Sequence, residues 1–520
     1  MYRLMLADLR YSVRVLLAKP SFALIAVFTL ALGIGANAAV YSMFHQLVTR
    51  PLAVPDAQKL VNLSAPGPKL GSTSNTGIGP RDAIFSYPMF RDLQAQQQVF
   101  TGIAAHRGMA VNLAYEGQTQ AGQALLVSPE YFSVLQLQPA LGRLIGPQDD
   151  QPIGESQVVV LSHRYWMTRL GGANVLNQVI KVNGIGLTIV GVAPPGFSST
   201  TVGSAPQIFV PLSARWLLAP QAPKDYDNRL SYWVYLFARL RPGYTLEQAA
   251  AQINQVYGQV INEVEVPLQK GIDEQTLAQF KAKQVQLEPG ERGQSSLSAS
   301  AATPLGLLLG VSGLVLLVAC LNTANLLLAR GSARAGELAI RASIGASRAQ
   351  LLRQQLIESL LLAVLGGLAS LPVASLCMHA LISVMPADAS TAINASLDWV
   401  TMRFAMLVAL GTVVIFGLTP ALHAANAAPI LSLKGAGQQT GGSRFASQFR
   451  SALATAQIAL SMASLVLAGL FIQSLSNISR ADIGMQVNSL ATFAVSPQRN
   501  GYDVQRSAQL YERIETALAA

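Results

Sequence analysis

The residue types that usually perform chemistry are present in this chain in patterns that suit little of it. The five histidines, His45, His106, His163, His379 and His423, are scattered, without the spacing of a metal site. No Gly-Lys dipeptide occurs, so a phosphate-binding loop of the Walker type is missing, and no Gly-x-Ser-x-Gly elbow offers a nucleophile. Gly435-Ala436-Gly437 is glycine-rich, but no strand precedes it. Cys320 and Cys377 lie in apolar runs and read as small buried hydrophobes. No cofactor and no metal are expected. The short region with the most purposeful spacing is 330–354. Glu337 and Arg341 stand four apart, the favourable spacing for an ion pair on one helix face. Gly345 suits a helix stop. Ser347 with Gln350 forms a capping box that opens a second helix. A short helix, a tight corner and a long helix can transmit force. A solvated basic connector would need neither the corner nor the second cap.

The elements around that region are set by composition. Of 520 residues, 51% are hydrophobic and only 12% charged, about half the charged share of an ordinary soluble chain. The deficit is concentrated in five apolar stretches, near 21–46, 305–329, 356–380, 404–422 and 452–475, each long enough to cross a bilayer as a helix. The first exceeds the hydrocarbon core and is expected to continue outward. Its Ala31, Gly35 and Ala39 make a small-residue ridge suited to close helix packing. Glu358, near one end of the third stretch, is expected to reach the interface or to pair with a nearby arginine such as Arg353.

Charge assigns the sides. Residues 1–19 carry Arg3, Arg10, Arg14 and Lys19 against Asp8. Residues 330–354 carry five arginines, among them Arg334 and Arg348, against Glu337, and 426–452 carry Lys434, Arg444 and Arg450 with no acid. These three short segments account for the whole formal charge of +10 and alternate along the chain as five spans require. Residues 47–302 hold 19 basic and 17 acidic side chains, an ordinary soluble balance. The N-terminus is therefore expected in the cytoplasm and the large domain outside. The basic character is a topology signal, without the aromatic interleaving of a nucleic-acid surface. A cleavable signal ending near Ala36-Asn37-Ala38 is disfavoured. Residues 2–17 already form an amphipathic helix, and the apolar run continues past that point to Val48.

In the outer segment, 158–161 reads as a strand followed by a helix capped by Ser162. Residues 179–182 and 187–192 flank Asn183-Gly184 as a hairpin. Residues 207–212 and 233–240 read as strands, and Thr245 with Gln248 caps a helix running to about 264. Residues 448–475 repeat the plan of the first 60, a basic lead and then a span, so a second repeat is expected to begin there and to be interrupted at the last residue. The expected fold is an α-helical transmembrane bundle of about five spans, with a large mixed α/β extracytoplasmic domain inserted between the first and second. Its parts are a cytoplasmic helix (1–19), the first span (20–48), the outer domain (49–302), a three-span domain (303–425), a linker (426–451), a fifth span (452–476) and the start of a second outer domain (477–520).

Two stretches carry a family resemblance. Residues 158–197, with Leu161-Ser-His-Arg-Tyr-Trp166, Lys181-Val-Asn-Gly184 and Ile189-Val-Gly-Val-Ala-Pro-Pro-Gly-Phe197, resemble the periplasmic core domain of MacB-type ABC permeases. Residues 334–367, with Glu337-Leu-Ala-Ile-Arg341, Ile344-Gly-Ala-Ser-Arg348 and Glu358-Ser-Leu-Leu-Leu362, resemble the FtsX-like permease domain. The opening, through Ala31-Leu-Gly-Ile-Gly-Ala-Asn37, is similar to duplicated permeases abundant in acidobacteria. The resemblance implies a permease of the bacterial inner membrane that carries out no ATP hydrolysis itself. Cytoplasmic ABC ATPase subunits would dock on the helix near 334–343, and Arg334, Glu337, Arg341, Gly345, Ser347 and Arg348 would couple their closure to the outer domain. It also implies a second permease half or a homodimer, membrane lipids around the spans and a periplasmic partner. The competing readings are an outer binding or sensor module held by membrane helices, and a membrane-bound enzyme. The ordered loop argues against the first and the missing catalytic set against the second.

Overall fold

A computed structural model describes residues 2–149, 155–333, 337, 340, 341, 343, 344, 346–383, 393, 395–414, 443–479, 495–497 and 502–519. The chain divides into two compact units. One comprises Met1–Gln46 and Ala301–Leu490, the other Leu47–Ser300 and Ala491–Ala520.

The first unit is helical. Tyr2–Leu17 forms a helix, and after a corner at Ala18 and Lys19 a second helix, Pro20–Phe44, begins with its proline in the first turn, where the missing N–H costs nothing. A wider helical turn, His45–Thr49, extends it, as its length predicts. Long helices follow at Ser296–Ala333, Arg348–Ser383 and Ser443–Ser479, with a shorter one at Trp399–Thr412. Among the described residues, four segments are long and apolar enough to cross a membrane: Pro20–Thr49, Ser296–Arg330, Ala349–Ser383 and Ser451–Ser474. The apolar helix Trp399–Thr412 is the described part of the expected fourth span, and the remainder of 415–422 lies outside the described residues.

The first span is the hub of this unit. Its apolar window is 56% buried, against 0% for Ser451–Ser474. Small residues make this possible, because without Cβ atoms two backbones approach closely. A Cβ on Gly35 would lie 2.7 Å from Cγ1 and 2.8 Å from Cβ of Val373, and one on Gly33 would lie 3.1 Å from Cβ of Ala319. In return, a Cβ on Gly366 of the third long helix would meet Leu30 at 2.9 Å. Ala31, Gly35 and Ala39 are all buried. A polar clasp joins the first two spans: the Asn37 amide donates to the Ser312 carbonyl at 2.6 Å, and the Ser312 hydroxyl returns a bond to Asn37 Oδ1 at 3.1 Å.

The second unit is built on one sheet. Its strands are β1 (Leu60–Ser64), β2 (Ser72–Thr73), β3 (Ile84–Ser86), β4 (Phe100–Tyr115), β5 (Gln118–Val127), β6 (Leu141–Gly142), β7 (Val158–Leu161), β8 (Val179–Val182), β9 (Ile185–Val192), β10 (Ile208–Pro211), β11 (Ser231–Leu240) and β12 (Gln286–Pro289). The order runs β12-β1-β11-β4-β5-β10-β7-β9-β6, with β2 and β3 on β11 and β8 bridging β4 and β9. β11 reads as nearly continuous apolar sequence because both its faces are covered, by Trp233, Val234 and Leu236 in one core and Tyr232, Tyr235 and Phe237 in another. It starts two residues earlier than its apolar run indicates. The hairpin of β8 and β9 turns at Asn183 and Gly184, both with positive φ, and the Thr245–Gln248 capping box is formed in both directions. The helix after it is regular to Gln259 and then widens over Val260–Glu265. Sequence reading passed over the long hairpin of β4 and β5, which turns at Glu116 and Gly117.

Candidate functional site

The segment singled out by its spacing lies at one end of the helical unit, and the structure surrounds it with partners that sequence reading did not name. Arg341 donates to Glu337 Oε1 at 2.6 Å, the i,i+4 pair. The N–H of Ala346 then reaches the Arg341 carbonyl, five residues back, at 3.0 Å. That long bond belongs to a helix-ending motif. Ser347 Oγ accepts from the Gln350 N–H at 3.3 Å and so caps the helix that Arg348 opens. Arg334 and Gly345 lie outside the described residues.

What the spacing could not foretell is the role of the N-terminal helix. Tyr11 sits between the charges: its hydroxyl donates to Glu337 Oε1 at 3.1 Å and accepts from Arg341 at 2.6 Å, with the guanidinium 4.7 Å from the ring centroid. Arg341 also donates to Gln354 Oε1 at 3.2 Å, which ties the segment to the third long helix. One turn away Asp8 accepts from Arg353 at 2.8 Å through Nε and 2.7 Å through a terminal nitrogen. Arg330 of the second long helix donates to the Val15 carbonyl at 3.1 Å and lies 4.4 Å from the Phe22 ring. Arg330 is also the partner of Glu358, at 2.6 Å with both side chains largely buried. Of the expectations for Glu358, reaching the interface or pairing with a nearby arginine such as Arg353, the structure shows an arginine partner but a different one: Arg353 is held by Asp8, and Glu358 meets Arg330 of the facing helix. The N-terminal helix is therefore tied by several separate polar contacts to two stretches that lie 315 to 345 residues further along the chain.

The outer unit holds its own buried polar groups. His106 is fully enclosed, bonded through Nε2 to Gln294 at 3.1 Å, and burial pushes its pKa down to about 4. Lys69 donates to the Ile84 carbonyl at 2.7 Å, and burial, helped by the nearby Lys283, lowers it to about 7. Glu265 is buried 3.8 Å from Arg229, and desolvation raises it to about 7. Among the described residues no group of three or more His, Cys, Asp or Glu is placed to hold a metal ion.

Comparison with known proteins sorts these two units. Residues 23–256 match the family model of the MacB-like periplasmic core domain, and residues 309–429 match that of the FtsX-like permease C-terminal domain. The chain belongs to the MacB/FtsX-type ABC permeases. It is 23% identical over 339 residues to the macrolide export ATP-binding/permease protein MacB of Sodalis glossinidius, a match covering 65% of this chain and 47% of that one. It is 31% identical over 264 residues to the pyoverdine export ATP-binding/permease protein PvdT of Pseudomonas fluorescens, covering 50% of this chain and 35% of that one. The chain spans about half the length or less of these two relatives. The crystal structure of the periplasmic region of MacB from Actinobacillus actinomycetemcomitans aligns with 48% of this chain and 94% of its own at 12% identity and a TM-score of 0.32. A MacB/FtsX-type permease is a multi-pass membrane protein with a periplasmic domain, and the four long apolar helices and the large α/β unit are the counterparts here.

Proposed function

We propose that this permease works by mechanotransmission: ATPase subunits on separate chains close on the cytoplasmic segment around Glu337–Arg341, and the helices carry that motion to the periplasmic domain. The reading places the N-terminus in the cytoplasm of a bacterial inner-membrane protein, paired with a second permease half or a second copy. In this reading the hydrolysis is assigned to those ATPase subunits. The relatives are named for macrolide and pyoverdine export. By analogy this chain serves export or another envelope process, with a periplasmic partner receiving the motion.

The observation that carries the reading is the fastening of the loop. A connector needs no fixed geometry, whereas Arg341 is held by Glu337, Tyr11 and Gln354 together. A segment fixed to two other helices moves them when it is pushed. Stimulation of the partner ATPase by reconstituted permease tests this. Arg341→Glu places two like charges beside Tyr11 and is expected to abolish stimulation at equal membrane content while the periplasmic domain stays folded. Unchanged stimulation and unchanged complex formation would reduce the segment to a connector.

A further inference from the structure

Within the helix Tyr2–Leu17, the described side chains of residues 8–17 divide by exposure, and one face of them meets the protein. Ser12 and Leu16 are buried, with Asp8, Tyr11 and Val15 beside them making the contacts described above. At about 100° per residue, Leu9, Val13 and Leu17 fall together on a second face, and they are 42%, 40% and 72% exposed. Arg10 and Arg14 flank that stripe on the side away from the protein, and both are exposed. Lys19, exposed at the corner, directly precedes the first span. An apolar stripe with an arginine row along its edge, attached directly to a span, is the pattern of a helix lying in a lipid interface. The span enters the hydrocarbon at Pro20, so this helix stands at headgroup depth, where exposed leucine and valine have acyl chains to meet. The two arginines then face the phosphates.

We propose that the N-terminal helix is a sensor arm that binds anionic phospholipid headgroups through Arg10 and Arg14 and relays their presence to the Glu337–Arg341 segment through Tyr11 and Asp8. This rests on the proposed function for the meaning of that segment, but not for the lipid contact itself. The relay is short because the latches share two helical turns with the arginines: Tyr11, about 60° around the helix from Arg14, bonds to both Glu337 and Arg341, and Asp8 holds Arg353 on the third long helix. Seating the arm against an anionic surface fixes Tyr11, and fixing Tyr11 immobilises the Glu337–Arg341 pair. On a neutral surface the arginines lose that anchor and the arm swings more freely, so the segment loosens with it.

The experiment uses the full chain in nanodiscs of phosphatidylcholine alone and of phosphatidylcholine mixed with phosphatidylglycerol. Lipids that survive mild delipidation are identified by native mass spectrometry, and amide hydrogen exchange is followed over 337–350. The expected result is selective retention of phosphatidylglycerol, weakened about fivefold for each arginine removed by Arg10→Gln or Arg14→Gln, with slower exchange over 337–350 only in the anionic discs. Asp8→Asn combined with Tyr11→Phe keeps the lipid preference and loses the exchange difference. A lipid preference untouched by the double arginine variant overturns the proposal. So does exchange over 337–350 that is indifferent to lipid charge. So does a variant that keeps its lipids but no longer binds the ATPase, which would make the arginines a protein contact. Absence of ATPase stimulation in every lipid would strike at mechanotransmission alone and leave both readouts of the arm intact.

Discussion

Replacing Gly35 by alanine adds one methyl group at the closest glycine contact among the described helices of the bundle. The new Cβ falls 2.7 and 2.8 Å from two Val373 carbons and 2.9 Å from the Ser370 carbonyl oxygen. Carbon atoms in comfortable contact stand about 3.5–4.0 Å apart, so the helices must separate by about 1 Å. A flexible side chain could swing aside, but Cβ of Val373 and the Ser370 carbonyl are fixed to the backbone. The cost therefore belongs at the upper end of the overpacking range, about 3 kcal/mol. Alanine recovers about 1 kcal/mol of helix propensity, which leaves a net loss of about 2 kcal/mol. Gly469 supplies the control, since a Cβ there meets nothing within 4 Å. Gly469→Ala gains the propensity without the clash, about 1 kcal/mol of stabilisation. Unfolding of the two variants in mixed micelles, followed by circular dichroism against wild type, reads the gap of about 3 kcal/mol between them. Equal midpoints would refute the claim that glycine is needed at 35 for close approach.

Three further outcomes follow from the same geometry. Arg330→Ala leaves Glu358 enclosed without its 2.6 Å partner and should destabilise the helical unit by about 3–5 kcal/mol, while Arg330→Met with Glu358→Leu recovers most of that in the same unfolding assay. Asp225→Ala strips the buried Arg215, which is bonded at 2.5 Å and lies 4.1 Å from the Trp233 ring; the periplasmic domain should lose about 3–5 kcal/mol, measured by its thermal melt. Three buried groups of the periplasmic domain contribute to its pH dependence in opposed senses; His106, lowered from 6.5 to about 4, makes stability rise with pH between those values and offsets the Glu265 contribution there. Glu265, facing Arg229, Lys283, Asp92 and Lys69, is raised from 4.5 to about 7, so the folded state holds a proton the unfolded chain has lost and stability falls as pH rises between those values. Lys69, facing Lys283, Asp82, Arg81 and Glu265, is lowered from 10.5 to about 7, so the folded state releases its proton first and stability rises above about 7. Melting temperatures across pH 5 to 9, taken as differences from wild type, check this: Glu265→Gln should remove a loss of stability between about pH 5 and 7 and Lys69→Met a gain above about 7, and variant profiles that run parallel to wild type contradict both assignments.

The features legible in the sequence are those that neighbouring residues settle among themselves. A capping box closes within four residues, as Thr245 and Gln248 do, and an i,i+4 ion pair within one turn, as Glu337 and Arg341 do. Apolar length sets a span, and the Asn183-Gly184 turn sets a hairpin, because in each case the deciding forces act along a short piece of chain. The hairpin of β4 and β5 escaped notice for the converse reason. Its strands mix Gly108, Asn112, Gln118 and Gln120 among apolar residues, and its length comes from pairing across the sheet. Tertiary structure alone decided that Glu358 meets Arg330 and that Arg353 meets Asp8. From sequence spacing Arg353 is the nearer choice for Glu358, but five residues along a helix point the two side chains to different sides, and the facing helices supply the partners. The same holds for Tyr11, an unremarkable residue in an amphipathic helix until the fold brings Glu337 and Arg341 to its hydroxyl. Which helix an element presses against depends on how backbones cross, and the glycines that let them cross closely show what they admit only when the partner is in place.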